Sequence, residues 1–109
     1  MPNLDWENLP FSYIKTDYNI RCNFRNGKWE DLTENNSEKL ELHIASAVLH
    51  YGQAIFEGLK AYRGKDGKIR LFRVDKNLER LNNSAKRLFM PELPEKIFLA
   101  AIYKAVKLN

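Results

Sequence analysis

The dipeptide Asn26-Gly27 is the strongest local constraint in this sequence. It closes a stretch in which Tyr18, Ile20, Cys22 and Phe24 alternate with Asn19, Arg21, Asn23 and Arg25, the period of a strand with one buried face. Asn followed by Gly best accepts the two positive φ angles of a type I′ turn. The chain is therefore expected to reverse there and return through Lys28, Trp29, Glu30, Asp31 and Leu32 as an antiparallel hairpin. A second reversal is signalled by Gly64-Lys65-Asp66-Gly67, which separates residues 59–63 from 68–73 and predicts a second hairpin.

Between the hairpins, residues 33–39 are polar and read as a surface loop with no packing role. Residues 40–44 alternate and predict a short strand, with His43 on the exposed face opposite Leu40, Leu42 and Ile44. Residues 47–56 lack alternation and read as a short helix or helical turn that Gly58 ends; Gly52 within it suggests close approach of another group to the backbone. After Arg73 the period changes. Leu78, Leu81, Ala85 and Leu88 recur at helical spacing, predicting a helix over about residues 76–89, with Asp75 as N-cap and Pro91 and Pro94 blocking its continuation. A second helix is expected to open near Pro94 and Glu95 and to bury a stripe of Ile97, Ala101, Ala105 and Leu108, with Phe98 and Ile102 beside it. No stop signal precedes Asn109, so this piece is expected to belong to a longer protein. The fold class is α+β: a small, mainly antiparallel sheet with hairpins, packed by at least two helices. Residues 2–10 read as a lead-in anchored by Trp6.

Bulk properties narrow the function. The chain has 109 residues, 44% of them hydrophobic and 29% charged, which suits one globular domain that buries roughly two-thirds of its unfolded surface. There is no apolar run long enough to cross a bilayer and no export signal. One cysteine and two histidines are too few for an internal disulfide or a zinc site, and a reducing, cytoplasmic setting fits. The net charge of +4 is spread along the chain among acids, unlike a nucleic-acid footprint. Neither a phosphate-binding glycine loop nor a nucleophile and base set of recognisable local form is present. His50, beside Tyr51, reads as a structural histidine.

The richest stretch is Leu49-His50-Tyr51, followed by Phe56-Glu57-Gly58-Leu59-Lys60-Ala61-Tyr62-Arg63-Gly64. With Asp66-Gly67, Leu71-Phe72-Arg73, Asn77, Arg80-Leu81, Ser84, Arg87-Leu88 and Pro91, it resembles, in order and spacing, the signature of branched-chain amino acid aminotransferases, which are fold-type IV pyridoxal-phosphate enzymes. The resemblance covers about forty contiguous positions, with a weaker extension over Thr16-Asp17 and the first hairpin, and lies in their N-terminal small domain, so residues 1–109 are expected to be that domain of a longer two-domain aminotransferase whose C-terminal catalytic domain is absent here. It implies exchange of an amino group between leucine, isoleucine or valine and 2-oxoglutarate, with pyridoxal 5′-phosphate as cofactor and a homodimer as the working form.

By the same resemblance Arg80 binds the cofactor phosphate, Phe56 lines the substrate side-chain pocket, and Tyr51 reaches into the site of a neighbouring subunit. Lys60 and Tyr62 take no direct catalytic role. No catalytic residue is assigned in this chain, because the family's Schiff-base lysine lies outside it; the isolated fragment is expected to be inactive. Val74 stands where the family often has Pro. The aromatic pocket residue that precedes the family's Thr-Asp pair has no secure counterpart before Thr16-Asp17, where Lys15 stands and Phe11 is the nearest aromatic. Two alternatives to the enzyme are a noncatalytic paralogue acting as a protein-interaction domain and a basic nucleic-acid-binding domain.

Overall fold

The computed structural model describes residues 4–5 and 7–109; the anchoring role expected of Trp6 falls outside them. The chain divides into two compact units, one made of Met1–Glu41 with Leu99–Asn109, the other of Leu42–Phe98.

In the first unit, β1 (Asn19–Arg21) pairs antiparallel with β4 (Thr33–Asn35), and β2 (Phe24–Arg25) pairs with β3 (Lys28–Trp29). Asn26 and Gly27 both take positive φ, 53° and 75°, as the turn requires. Arg21 stands opposite Thr33 and Phe24 opposite Trp29. Cys22 and Asn23 are thus matched against Glu30, Asp31 and Leu32, one residue too many on the returning side. Such a bulge breaks the ladder, which is why one expected hairpin appears as two short pairs. Across β2 and β3 the Phe24 and Trp29 rings meet edge to face with centroids 5.1 Å apart, a favoured aromatic geometry.

Residues 33–39, expected as a loop without a packing role, are instead structural. Thr33–Asn35 forms β4, and the carbonyl of Ser37 accepts hydrogen bonds from Asn19 Nδ2 (2.8 Å) and Arg21 Nη2 (2.7 Å). Polar side chains of β1 hold this segment, so hydrophobic pattern could not reveal it. For the same reason Asn19 and Arg21 are as buried as Ile20, and the alternating burial expected along the strand is absent.

The second unit contains α1 (Ala47–His50), the hairpin of β5 (Ala61–Arg63) and β6 (Ile69–Leu71), and α2 (Val74–Arg87). Residues 40–44 form no strand, and His43 is exposed as expected. The single turn of α1 ends at Tyr51, ahead of Gly52 at φ 62°. Gly52, rather than Gly58, supplies the left-handed residue after the helix. Open space surrounds the position where a Gly52 Cβ would lie, so the glycine answers to backbone conformation and not to close approach. Helix α2 starts before the expected Asp75 cap: Arg73, itself left-handed at φ 48°, is the N-cap, and Asp75 lies in the first turn. There its carboxylate suits the positive end of the helix dipole. Asn82 clamps the segment after α2 with two bonds, Nδ2 to the Leu93 carbonyl (3.0 Å) and Oδ1 from the Leu93 amide (2.8 Å).

Helix α3 (Glu95–Leu108) opens directly after Pro94, whose carbonyl accepts the Phe98 amide at 3.0 Å. Its most buried position is Phe98, at the side of the expected stripe. Among the described residues only Ala85 (2% exposed) and Phe98 (6%) are buried apolar side chains. The architecture is that of a small α+β domain, with helices and antiparallel strand pairs. No helix among the described residues is long and apolar enough to cross a membrane.

Candidate functional site

From Gln53 to Lys60 the chain is neither helix nor strand but alternates in burial, with Gln53, Ile55, Glu57 and Leu59 partly covered and Ala54, Phe56, Gly58 and Lys60 exposed. This corrects the expectation that alternation is lacking through residue 56. The covered set mixes polar and apolar residues, so the period is invisible to hydrophobicity. Its polar members are satisfied by groups distant in sequence: Gln53 Nε2 donates to the Leu88 carbonyl at 2.7 Å, and Glu57 meets α2.

The Glu57 contact joins this segment to α2 through several polar bonds. The Arg80 Nε–H donates to Glu57 Oε2 at 2.7 Å, and Arg80 Nη2 donates to Oε1. This is the bidentate pairing that a planar guanidinium favours. Asn77, one helical turn before Arg80 and therefore on the same face, donates from Nδ2 to Glu57 Oε1 (3.0 Å) and to the Gly58 carbonyl (3.1 Å). The Glu57 side chain is 7% exposed, whereas that of Arg80 is 69% exposed. The acid is thus held inside and the cation stands at the surface. No hydrogen bond of the Arg80 Nη1 group to a described residue is found. Since arginine carries five N–H donors, two engaged by Glu57 leave three for a ligand.

The hydrogen bond from Arg80, helped by that from Asn77 and by the Arg80 charge, lowers the Glu57 pKa from 4.5 to about 2. A carboxyl whose pKa is depressed by folding contributes stability that is fully present above its unfolded pKa and is lost as pH falls through its folded pKa. Wild-type protein is therefore expected to exceed Glu57→Gln in stability at neutral pH, with the difference shrinking between pH 4.5 and about 2. Urea midpoints measured across that window check this; a difference that is constant with pH would remove the ionised pair as its source.

The other expected site residues lie apart from this cluster in their contacts. Phe56 is 92% exposed and Tyr51 is 86% exposed. Among the described residues no hydrogen bond or ring contact joins either of them to Arg80. His50 accepts a structural role, its Nε2 lying 2.6 Å from the Ile44 carbonyl. Glu57 and Asn77 were both within the quoted motif, but no role followed from their types alone. The 20 to 23 residues that separate Glu57 from Asn77 and Arg80, with the β5–β6 hairpin between, left no spacing signal for the pairing.

No group of His, Cys, Asp and Glu among the described residues can hold a metal ion. The arrangement offers instead an exposed guanidinium held on one edge by a carboxylate, with donors of the kind that suit an anion.

No family profile matches the chain. The chain is 50% identical over its whole length to a branched-chain-amino-acid aminotransferase of Haemophilus influenzae and 49% identical to that of Helicobacter pylori, covering 32% of each. Over 96% of its length it is 43% identical to branched-chain-amino-acid transaminase 1 of Bacillus subtilis, covering 30% of it. The chain thus spans about a third of the length of these relatives. Identity of this depth over all or nearly all of the sequence shows that the chain belongs to the branched-chain amino acid aminotransferase family.

Proposed function

We propose that this chain is the N-terminal small domain of a longer, pyridoxal 5′-phosphate-dependent aminotransferase that moves an amino group between leucine, isoleucine or valine and 2-oxoglutarate. The observation that carries the cofactor half of this reading is the exposed Arg80 guanidinium, held on one edge by Glu57 with its Nη1 group unclaimed by the described residues. That donor set fits a phosphate, whose oxygens accept charge-assisted hydrogen bonds from a planar cation. When bound, the cofactor supplies the carbonyl carbon that carries the amino group and the ring that takes up electron density.

The residues of this chain bind and shape. Arg80 neutralises and orients the phosphate. Phe56, exposed and next to the covered Glu57, supplies an apolar wall against which a branched side chain is taken out of water, at about 0.8 kcal/mol per methylene-sized group. Tyr51, exposed through its ring, completes the site of a second subunit in a homodimer. The lysine that holds the cofactor and moves protons belongs to the remaining two-thirds of the protein.

The reading predicts a clear division of activity. The full-length protein is expected to produce glutamate from leucine and 2-oxoglutarate in the presence of pyridoxal phosphate. The 109-residue chain alone is expected to give no turnover. Glutamate formation followed by coupled assay checks both, and turnover by the isolated chain would contradict the assignment of catalysis to the remainder.

A further inference from the structure

Glu57, its side chain largely covered, is an acid placed behind the exposed cation that the cofactor reading assigns to phosphate. Its carboxylate engages Nε and Nη2 of Arg80 together, which fixes the plane of the guanidinium as well as its position. Glu57 is itself held by Asn77 Nδ2 at 3.0 Å, and Asn77 is tied to the Gly58 carbonyl at 3.1 Å. The acid is thus anchored to its own segment and to α2 before any ligand arrives. An arginine left free on a helix surface samples many rotamers and must lose them on binding; one already clamped along a single edge does not.

We propose that Glu57 is a positioning residue for the phosphate-binding Arg80, aiming its Nη1 side at the cofactor phosphate, with Asn77 holding Glu57 in turn. This rests on the reading that Arg80 meets the phosphate. The charge of Glu57 acts in the opposite sense, because a carboxylate behind the guanidinium offsets part of its attraction for an anion. The two effects predict opposite changes when the acid is neutralised, so experiment separates them. Positioning wins here because an amide keeps only one of the two acceptors: Gln presents an NH2 donor to a donor where the carboxylate presented a second acceptor, so the guanidinium plane is no longer fixed.

The test uses the full-length apoenzyme at neutral pH and two ligands, pyridoxal 5′-phosphate and pyridoxal, which differ only in the phosphate. Glu57→Gln is expected to weaken the phosphorylated ligand roughly tenfold, the low end of what outer partners of a binding group contribute, and to leave pyridoxal unchanged within about twofold. A structural defect would move both ligands together. In an Arg80→Ala background, Glu57→Gln is expected to add no further loss of phosphate preference, because the two act as one unit. Unchanged or tighter binding of the phosphorylated ligand to Glu57→Gln, or an equal loss for both ligands, overturns the positioning role.

If Arg80→Ala itself keeps the full preference for the phosphorylated ligand, the phosphate reading fails. If Arg80→Ala loses that preference and Glu57→Gln keeps it, only the positioning role fails. Should Glu57→Gln yield no folded apoenzyme, Asn77→Ala carries the test: it leaves the ion pair and removes one donor from the acid, with an expected loss of roughly threefold, confined to the phosphorylated ligand. No selective loss in that variant also counts against the role.

Discussion

Arg80→Ala is expected to lower the affinity of the full-length enzyme for pyridoxal 5′-phosphate by roughly a hundredfold, the loss of a charge-assisted bidentate contact. It is expected to do so without opening a cavity, since the Arg80 side chain is largely exposed. That exposure alone would leave folding nearly intact, but the partner of Arg80 changes the outcome. Glu57 is almost fully covered, and Arg80 is the first cause of its depressed pKa. Removing Arg80 leaves the carboxylate with Asn77 and the backbone as its partners. Its pKa then moves back toward the ordinary range, and a covered, poorly compensated charge destabilises the folded state. Arg80→Ala is therefore expected to bind the cofactor weakly and to unfold at a lower urea concentration. Adding Glu57→Ala should return the urea midpoint toward wild type without restoring cofactor affinity. Equilibrium dialysis for the first quantity and urea unfolding for the second separate the two roles. Wild-type affinity in Arg80→Ala would refute the phosphate contact.

What the sequence disclosed and what it concealed follow from how local each signal is. The reversal at Asn26-Gly27 needs only two backbone angles and was legible, as were α2, from leucine spacing, and α3, from Pro94 and its apolar run. The strand β4 was not, because its segment is held by Asn19 and Arg21 rather than by a buried apolar face. The alternation over residues 53–60 was hidden for a related reason: half of its covered positions are Gln53 and Glu57, which are tolerable there only because Leu88, Asn77 and Arg80 reach them. The signature containing Arg80 was legible as a resemblance. Its ion pair to Glu57 was not, since the partners are distant in sequence and charges along a chain do not announce which of them meet.

Phenylalanine shows the same limit in apolar side chains, and it yields the second large effect. The sequence holds six phenylalanines, and of these Phe98 alone is buried while Phe11, Phe24, Phe56, Phe72 and Phe89 are exposed. Phe98→Ala is expected to cost about 3 kcal/mol, near the lower end for deleting a buried phenyl ring. The low end applies because few side chains are buried around any core position here, so less packing is lost than in a dense interior. A loss of that size in a chain of this length lowers the melting temperature by more than ten degrees, at roughly 4 °C or more per kcal/mol. Phe56→Ala is expected to change stability by less than about 0.5 kcal/mol, as for other exposed positions without partners. Thermal melts of the two variants check both values. Equal losses would mean that Phe56 is packed within this chain and is unavailable as a pocket wall. With the expected contrast, Phe56 contributes little to the fold that carries it, and the place to look for its effect is the KM for branched substrates in the full-length enzyme. Exposure alone does not single it out from the other four; its position one residue before Glu57, on the exposed side of the same alternating segment, does.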